Sequence, residues 1–165
     1  LLGGTLTLSA IQPTQAALDA EWEASRGGGV TFASPLALVN MLRSDFDSTD
    51  TQRKGRWRRG LQCAVGADVQ LLMQMSDCRY SDFDAPMHPT LIVQQISTRP
   101  SMRRRGPARQ VLRELAGAVQ AVYAPSMRVM VQAVCNDALM SMLLNDLNGT
   151  PAPGTAADVF LPQNF

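Results

Sequence analysis

The sequence lacks several features that would identify a membrane, secreted or metal-binding protein. It has no uninterrupted apolar stretch of the roughly 20 residues that a membrane-spanning helix needs. Its first ten residues, LLGGTLTLSA, have neither the basic start nor the long apolar centre of a signal peptide. The three cysteines, Cys63, Cys78 and Cys135, are odd in number and widely spaced, so they predict neither a disulfide framework nor a metal knuckle. We therefore expect an intracellular, cytoplasmic protein without a metal site.

The sequence also has no excess of charge of one sign. Its 15 basic and 14 acidic residues give a formal net charge of +1, and this near balance disfavours a protein that binds nucleic acid through a globally basic surface. With 45% hydrophobic and 18% charged residues, the chain has enough apolar material for a core and too little charge for intrinsic disorder. Its length suits one domain, which we place at residues 1–165.

The spacing of apolar residues predicts strands and helices in one mixed sheet. The predicted strands are 5–11, 61–65, 69–75, 90–98, 127–134 and 157–161, and the predicted helices are 16–22, 35–44, 107–123 and 137–147. The polar segments 45–60 and 76–89 are expected to be exposed loops. The order β-α-α-β-β-β-α-β-α-β requires a crossover and hence a parallel strand pair. It predicts an α+β fold with a single mixed β-sheet flanked by helices on both faces.

The most informative segment joins the strand 90–98 to the helix 107–123. It reads Ile96-Ser97-Thr98-Arg99-Pro100-Ser101-Met102-Arg103-Arg104-Arg105-Gly106-Pro107-Ala108. A helix N-terminus offers N–H groups and the positive end of the helix dipole, a glycine admits a ligand close to the backbone, and arginines add forked donors. The segment therefore predicts a site for a pyrophosphate. It contains neither the GxxxxGK[ST] of a P-loop nor the GxGxxG of a dinucleotide fold.

The same segment resembles motif A of the GNAT superfamily of N-acetyltransferases. In that motif a strand with the pattern V-x-P-x-x-R/Q is followed by x-x-G-x-G/A and a helix. The corresponding residues here are Thr98 in the place of Val, then Pro100, Arg103, Gly106 and Ala108. The order of strands and helices is also similar to the GNAT order, so the resemblance covers most of the chain.

The resemblance continues in Val134-Cys135-Asn136, which is similar to the family's motif B, a strand followed by Asn and a helix. It implies that acetyl-coenzyme A is the co-substrate and lies between the fourth and fifth strands. By position, backbone groups of Ile96 and Thr98 would pair with the pantetheine arm, Asn136 would hold a pantetheine amide, and N–H groups from Arg104 through Ala108 would bind the pyrophosphate. Pro107 removes one of those donors. The cofactor-binding residues implied are Ile96, Ser97, Thr98, Arg103, Arg104, Arg105, Gly106, Pro107, Ala108, Arg109 and Asn136.

The catalytic positions match the family less well. Attack of an amine on the thioester needs a neutral amine, a donor for the oxyanion and a proton for the leaving thiolate. The family's proton-donating tyrosine, seven residues beyond the motif B Asn, is here Leu143. The positions of family bases on the fourth strand are here Ile92 and Gln94, of which Gln94 could orient a water. The other candidates for the catalytic site are Asp82, Asp84 and His88.

Two hypotheses of different classes follow. One is direct acetyl transfer to an amine of a small molecule or peptide, with small amines, antibiotics, polyamines and peptide N-termini all open as acceptors. The other is a degenerate GNAT-like fold that binds coenzyme A or a protein partner without catalysis, because the tyrosine is missing. A nucleic-acid-binding module built on Arg53–Arg59 and Arg103–Arg105 is the least favoured. We expect a monomer or a homodimer, the latter paired through the last strand.

Overall fold

The computed structural model of the chain describes residues 12–25, 29–78, 88–123, 127–132, 134, 136–154 and 157–162. The helices are α1 (Gln15–Ala24), α2 (Pro35–Asp47), α3 (Thr51–Arg59), α4 (Pro107–Tyr123) and α5 (Asp137–Ser141), the last continued by a π-helical turn over Met142–Asp146. The strands are β1 (Val30–Phe32), β2 (Leu61–Val65), β3 (Val69–Cys78), β4 (His88–Thr98), β5 (Arg128–Val131), β6 (Thr150–Pro151) and β7 (Val159–Phe160). A 3₁₀ turn over Pro100–Met102 links β4 to α4.

The seven strands form one mixed sheet in the order β1-β2-β3-β4-β5-β7-β6. The pairs β1–β2 and β4–β5 are parallel, and the other neighbours are antiparallel. Helix α4 supplies the crossover that a parallel β4–β5 pair requires. The predicted α+β fold with a single mixed sheet is therefore confirmed.

Helices cover both faces of this sheet. On one face, alternate residues of the central strands, such as Met73 and Val93, join α2 and α4 in the main core. The side chain of Gln70 belongs to the other face, where its Nε2 donates to the backbone oxygen of Trp22 in α1 at 3.0 Å. A smaller apolar cluster also lies outside the main core and consists of Ile92, Met130, Ala152 and Phe160. Within the described ranges no helix combines the length and the apolar character needed to cross a membrane.

The predicted loop at 45–60 is wrong, because this segment is largely helical. Helix α2 continues to Asp47, and Asp50 then caps α3 by accepting a hydrogen bond from the Gln52 amide at 2.9 Å. Trp57 is completely buried, whereas most of the basic side chains around it are exposed. A helix that buries one residue in nine leaves almost no apolar periodicity in its sequence.

Several boundaries also differ from the sequence prediction. Strands β3 and β4 extend to Cys78 and His88, so the predicted loop at 76–89 is shorter, and β5 ends at Val131 instead of residue 134. The short strands β1 and β6 were not predicted. The predicted strand at 5–11 lies outside the described residues.

Candidate functional site

A gap opens in the sheet where β4 and β5 stop pairing. Their last paired residues are Val93 and Val131, after which the Gln132 amide donates once more to the Val93 oxygen at 3.0 Å. Strand β4 continues to Thr98 in its ladder with β3, so its other edge faces the gap. The gap contains a cavity of about 320 Å³. Its lining residues are Gln94, Gln95, Ile96, Ser97, Val131, Gln132, Val134, Asn136 and Leu139.

Gln94 occupies a β-bulge at the inner end of this gap. In the β3–β4 ladder Met73 pairs with Val93 and Leu72 pairs with Gln95, so Gln94 is the extra residue. A bulge bends its strand and redirects a side chain, and bulges often occur beside functional sites. The sequence gives no signal for the bulge, because it depends on the register between two strands.

A second cavity, of about 290 Å³, lies at the N-terminus of α4. Its lining residues are Thr98, Arg104, Gly106, Pro107, Ala108, Arg109, Ala138, Leu139, Met142 and Asp146. Leu139 lines both cavities, so they adjoin. We call the two together the trough; it runs from the bulge at Gln94 to the start of α4.

Most of the residues implied by motifs A and B lie along this trough. Ile96, Ser97 and Asn136 line its first cavity. The second cavity is lined by Thr98, Arg104, Gly106, Pro107, Ala108 and Arg109. Arg103 and Arg105 are exposed and line neither cavity. The sequence therefore located the trough well, but it missed Leu139, Met142 and Gln132, whose contribution depends on how β5 and α5 pack.

The loop before α4 already uses some of its own amide groups. The amides of Arg103 and Arg105 donate to the backbone oxygens of Pro100 and Met102, at 3.4 and 3.2 Å. Among the donors predicted for a pyrophosphate, this leaves the amides of Arg104, Gly106 and Ala108. Arg104 and Gly106 have φ values of +66° and +90°, and the glycine adopts this conformation without the strain that a side chain adds.

Charged side chains set the electrostatics of the second cavity. The Arg109 guanidinium lies 3.5 Å from the Asp146 carboxylate, and both side chains are about half exposed. An anion entering here would meet Arg104 and Arg109 but would also compete with Asp146 for Arg109. The side-chain oxygen of Asn136 caps α5 by accepting from the Leu139 amide at 3.0 Å, so its NH₂ group is the part that could bind a ligand.

Of the catalytic candidates, the structure describes Gln94 and His88, and it does not bring these two together. Gln94 lines the first cavity, whereas Asp82 and Asp84 lie outside the described residues. His88 begins β4, six residues before Gln94, which is about 20 Å along a strand. Leu143, at the family's tyrosine position, is completely buried in the main core, and its neighbour Met142 lines the trough instead. None of the nine described residues that line the first cavity is titratable.

The side chain of Gln94 has a hydrogen-bond partner that its sequence context does not reveal. Its Nε2 donates to the Oε1 of Gln74 at 2.9 Å, and the Nε2 of Gln74 donates to the backbone oxygen of Arg58 at 2.8 Å. This chain of hydrogen bonds connects the end of α3 to the bulge. It joins residues from three elements, and no local pattern marks it.

No protein-family model and no curated protein matches the sequence. Solved structures do match it. A point mutant of KacT is 15% identical, with 84% of this chain and 87% of that chain covered and a TM-score of 0.50. A mutant of the toxin AtaT bound to the C-terminus of the antitoxin AtaR is also 15% identical, with coverage of 70% and 73% and a TM-score of 0.50.

The same AtaT mutant bound to the AtaR C-terminus and acetyl-coenzyme A matches at 15% identity, 58% coverage of this chain and a TM-score of 0.46. That match spans 60% of the toxin chain, less than two thirds of its length. Similarity at this level of identity establishes the fold. The resemblance that motif A indicated is therefore confirmed as a shared architecture, and the chain has the GNAT fold.

Proposed function

We propose that the protein is an acetyl-coenzyme A-dependent N-acetyltransferase that transfers the acetyl group directly to an amine. The observation that carries this proposal is the trough, in which an unpaired strand edge leads from a bulge to the N-terminus of a 17-residue helix. A strand edge binds an extended chain of amides through backbone hydrogen bonds, and a helix N-terminus binds phosphate. Acetyl-coenzyme A carries both groups in one molecule.

The trough supplies groups for each part of the co-substrate. Backbone groups of Ile96 and Thr98, two residues apart on one strand edge, suit the amides of the pantetheine arm. The amides of Gly106 and Ala108 and the guanidinium of Arg109 suit the pyrophosphate. In this arrangement the thioester lies near Gln94.

Acetyl transfer to a neutral amine can proceed without a titratable side chain. The neutral amine attacks the acetyl carbonyl carbon, the C–S bond breaks, and the proton lost by the amine reaches the thiolate through solvent. Because none of the described residues that line the first cavity is titratable, the trough contributes mainly by holding the thioester beside the amine. An amine whose pKa is already low would react fastest under these conditions.

Calorimetric titration with acetyl-coenzyme A tests the cofactor site. We expect saturable one-to-one binding and a matching thermal stabilisation, since a ligand that binds only the native state adds about 2.7 kcal/mol at a hundredfold excess over Kd. No binding at millimolar acetyl-coenzyme A would contradict the proposal.

Release of coenzyme A in the presence of spermidine, kanamycin and a tetrapeptide with a free N-terminus then tests transfer and the class of acceptor.

The variant Arg104→Gly separates binding from folding. Arg104 lines the trough and has a φ of +66°, so glycine relieves strain while it removes a positive charge. We expect the affinity for acetyl-coenzyme A to fall about tenfold while the melting temperature stays level or rises. Asn148→Gly, at a φ of +55° and away from the trough, is the matched control and should leave affinity unchanged. A lower melting temperature for Arg104→Gly, with unchanged affinity, would contradict this assignment.

A second candidate function is binding without catalysis, either of coenzyme A or of a protein. Leu143 favours it, because the family's proton donor is replaced by a residue enclosed in the core. The AtaT toxin of the same fold is solved with the C-terminus of its antitoxin bound, which makes a protein partner a reasonable alternative. Binding of acetyl-coenzyme A with no release of coenzyme A to any amine would support this second function.

A further inference from the structure

The orientation of the Gln94 side chain is set by residues outside the trough. A backbone carbonyl can only accept a hydrogen bond, so the group that Gln74 turns towards Arg58 must be its NH₂. Its oxygen then faces the opposite way and can only accept, which requires the NH₂ of Gln94 on that side. The backbone oxygen of Arg58 therefore sets the orientation of the carboxamide groups of both Gln74 and Gln94.

This order leaves the carboxamide oxygen of Gln94 turned away from β3. The gap lies on the side of β4 opposite β3, so it is the cavity that an oxygen turned away from β3 can face. Gln94 lines that gap and is the bulge residue, at the end opposite the phosphate-binding loop. Gln94 can therefore offer the trough an uncharged hydrogen-bond acceptor at the place where the thioester would lie.

We propose that Gln94 accepts an N–H hydrogen bond from the attacking amine and that Gln74 is the positioning residue that makes this possible. This inference rests on the acetyltransferase function proposed above. An acceptor oxygen aligns a neutral amine with its lone pair towards the acetyl carbonyl carbon, and the amide takes no proton in the step. Water, which also donates an O–H, would be held in the same way and would be the slow alternative nucleophile.

Four single variants and the double variant Gln94→Met/Gln74→Met test this chain of hydrogen bonds. Gln94→Met removes the acceptor, and Gln74→Met removes the group that orients it. Gln74→Glu still accepts from the Gln94 NH₂ group, so it should preserve the orientation although it cannot donate to the Arg58 oxygen. Gln62→Met is the control, because Gln62 is another glutamine of the sheet whose Nε2 donates to a backbone oxygen, that of Ser25 at 3.4 Å, and it does not line the trough.

The measurements are the Kd for acetyl-coenzyme A and the rate of coenzyme A release with the amine panel and with water alone. We expect Gln94→Met and Gln74→Met each to lower kcat about tenfold with Kd unchanged, which is the effect of one hydrogen bond on a rate. The double variant should be no slower than Gln94→Met, because Gln74 acts only through Gln94. Gln74→Glu and Gln62→Met should stay within about threefold of the wild type.

Other outcomes overturn the proposal in distinguishable ways. If kcat is unchanged in Gln94→Met or in Gln74→Met, that residue does not have the proposed role. If kcat of the double variant falls by the product of the two single losses, Gln74 acts independently of Gln94. A loss in Gln74→Glu equal to that in Gln74→Met assigns the effect to the Arg58 contact. Wild-type protein that does not bind acetyl-coenzyme A, or binds it without releasing coenzyme A to any amine, refutes the acetyltransferase function proposed above. A wild type that transfers the acetyl group, together with a Gln94→Met variant that transfers it equally fast, refutes only the role of Gln94.

Discussion

A single buried carboxylate, Asp45, holds the two helices α2 and α3 together. Its side chain has no exposed surface and accepts hydrogen bonds from Arg53 Nε at 2.9 Å, Arg56 Nη2 at 2.6 Å and Trp57 Nε1 at 2.6 Å. Burial raises the pKa of a carboxyl group, but the donors from Trp57, Arg56 and Arg53 outweigh burial and hold the pKa of Asp45 below its ordinary value of 3.8. The carboxylate is therefore ionised and fully hydrogen-bonded in the native protein.

We expect Asp45→Ala to lower the free energy of unfolding by about 2–4 kcal/mol, because it leaves the buried Trp57 N–H without an acceptor and breaks two ion pairs. Since the folded pKa lies below the unfolded one, the wild-type advantage is complete above about pH 5 and is lost as the pH falls through 4 and below. Urea unfolding at pH 7 and pH 3 measures both effects. Asp47→Ala is the control, because Asp47 is exposed and 3.7 Å from Arg43. Equal losses for the two variants would contradict the assignment.

At the residue scale the sequence predicts groups whose role is local. Ser34 directly precedes the predicted helix 35–44 and is a residue type that caps helices, and its Oγ accepts from the Ala37 amide at 3.2 Å. Gly106 was predicted to let a ligand approach the backbone before the helix, and its φ of +90° is a conformation that glycine adopts without strain. Asp45 and Gln74 were missed because their partners come from other elements, and a polar residue that is buried through distant partners has the same local pattern as an exposed one.

At the scale of elements, the sequence predicted a helix or strand correctly when many of its residues face the core. Helix α4 matches its predicted range because one face, including Val111, Leu112, Leu115 and Val119, is buried along its whole length. Helix α3 was missed because Trp57 is its buried residue. Strand β4 was predicted from a continuous apolar start, but its extension to His88 depends on pairing with β3.

Arg99 anchors the first helix to the sheet at the end of β4. Its guanidinium is bonded to the Glu23 carboxylate of α1, to Asp68 Oδ1 at 3.1 Å and to the Ala67 oxygen at 2.8 Å. It also lies 4.9 Å from the centre of the Trp22 ring. Helix α1, the β2–β3 turn and the end of β4 thus meet at one side chain that is 18% exposed.

We expect Arg99→Met to cost about 1–2 kcal/mol and to increase hydrogen exchange of α1 amides selectively, because Arg99 joins Glu23 and Trp22 of α1 to the end of β4. Arg99→Lys keeps the charge but loses the planar fork and should fall between the wild type and Arg99→Met. Exchange followed by mass spectrometry measures this, with Arg43→Met as the control on an exposed ion pair. A uniform increase across α4 and the sheet would mean that Arg99 supports the whole fold and not α1 alone.

At the scale of the whole molecule, the trough depends on long-range pairing. Its walls come from residues 94–109 and from residues 131–146, two segments that begin about forty positions apart in the chain. The order of elements and motif A together predicted that these segments meet. The shape of the gap could not be predicted, since it follows from where β4 and β5 cease to pair and from the bulge at Gln94.

Cys63 offers a way to measure the stability of the whole molecule. Its thiol lies in the main core with 2% of its surface exposed, and burial raises its pKa to about 12. A thiolate is the species that iodoacetamide attacks, so a native Cys63 should be inert at pH 8 and should react only when the protein unfolds. The variant Cys78→Ser/Cys135→Ser leaves Cys63 as the single cysteine for this measurement.

In that variant we expect alkylation of Cys63 to slow about a hundredfold at a hundredfold excess of acetyl-coenzyme A over Kd, because the ligand lowers the population of unfolded molecules by that factor. Adding Arg104→Gly should reduce this protection from about a hundredfold to about tenfold at the same ligand concentration, while the rate without ligand stays equal or falls. Mass spectrometry of the modified protein gives both rates. Alkylation of the free protein at the rate of an exposed thiol would contradict the burial of Cys63. Protection that persists undiminished with Arg104→Gly would place the ligand outside the trough.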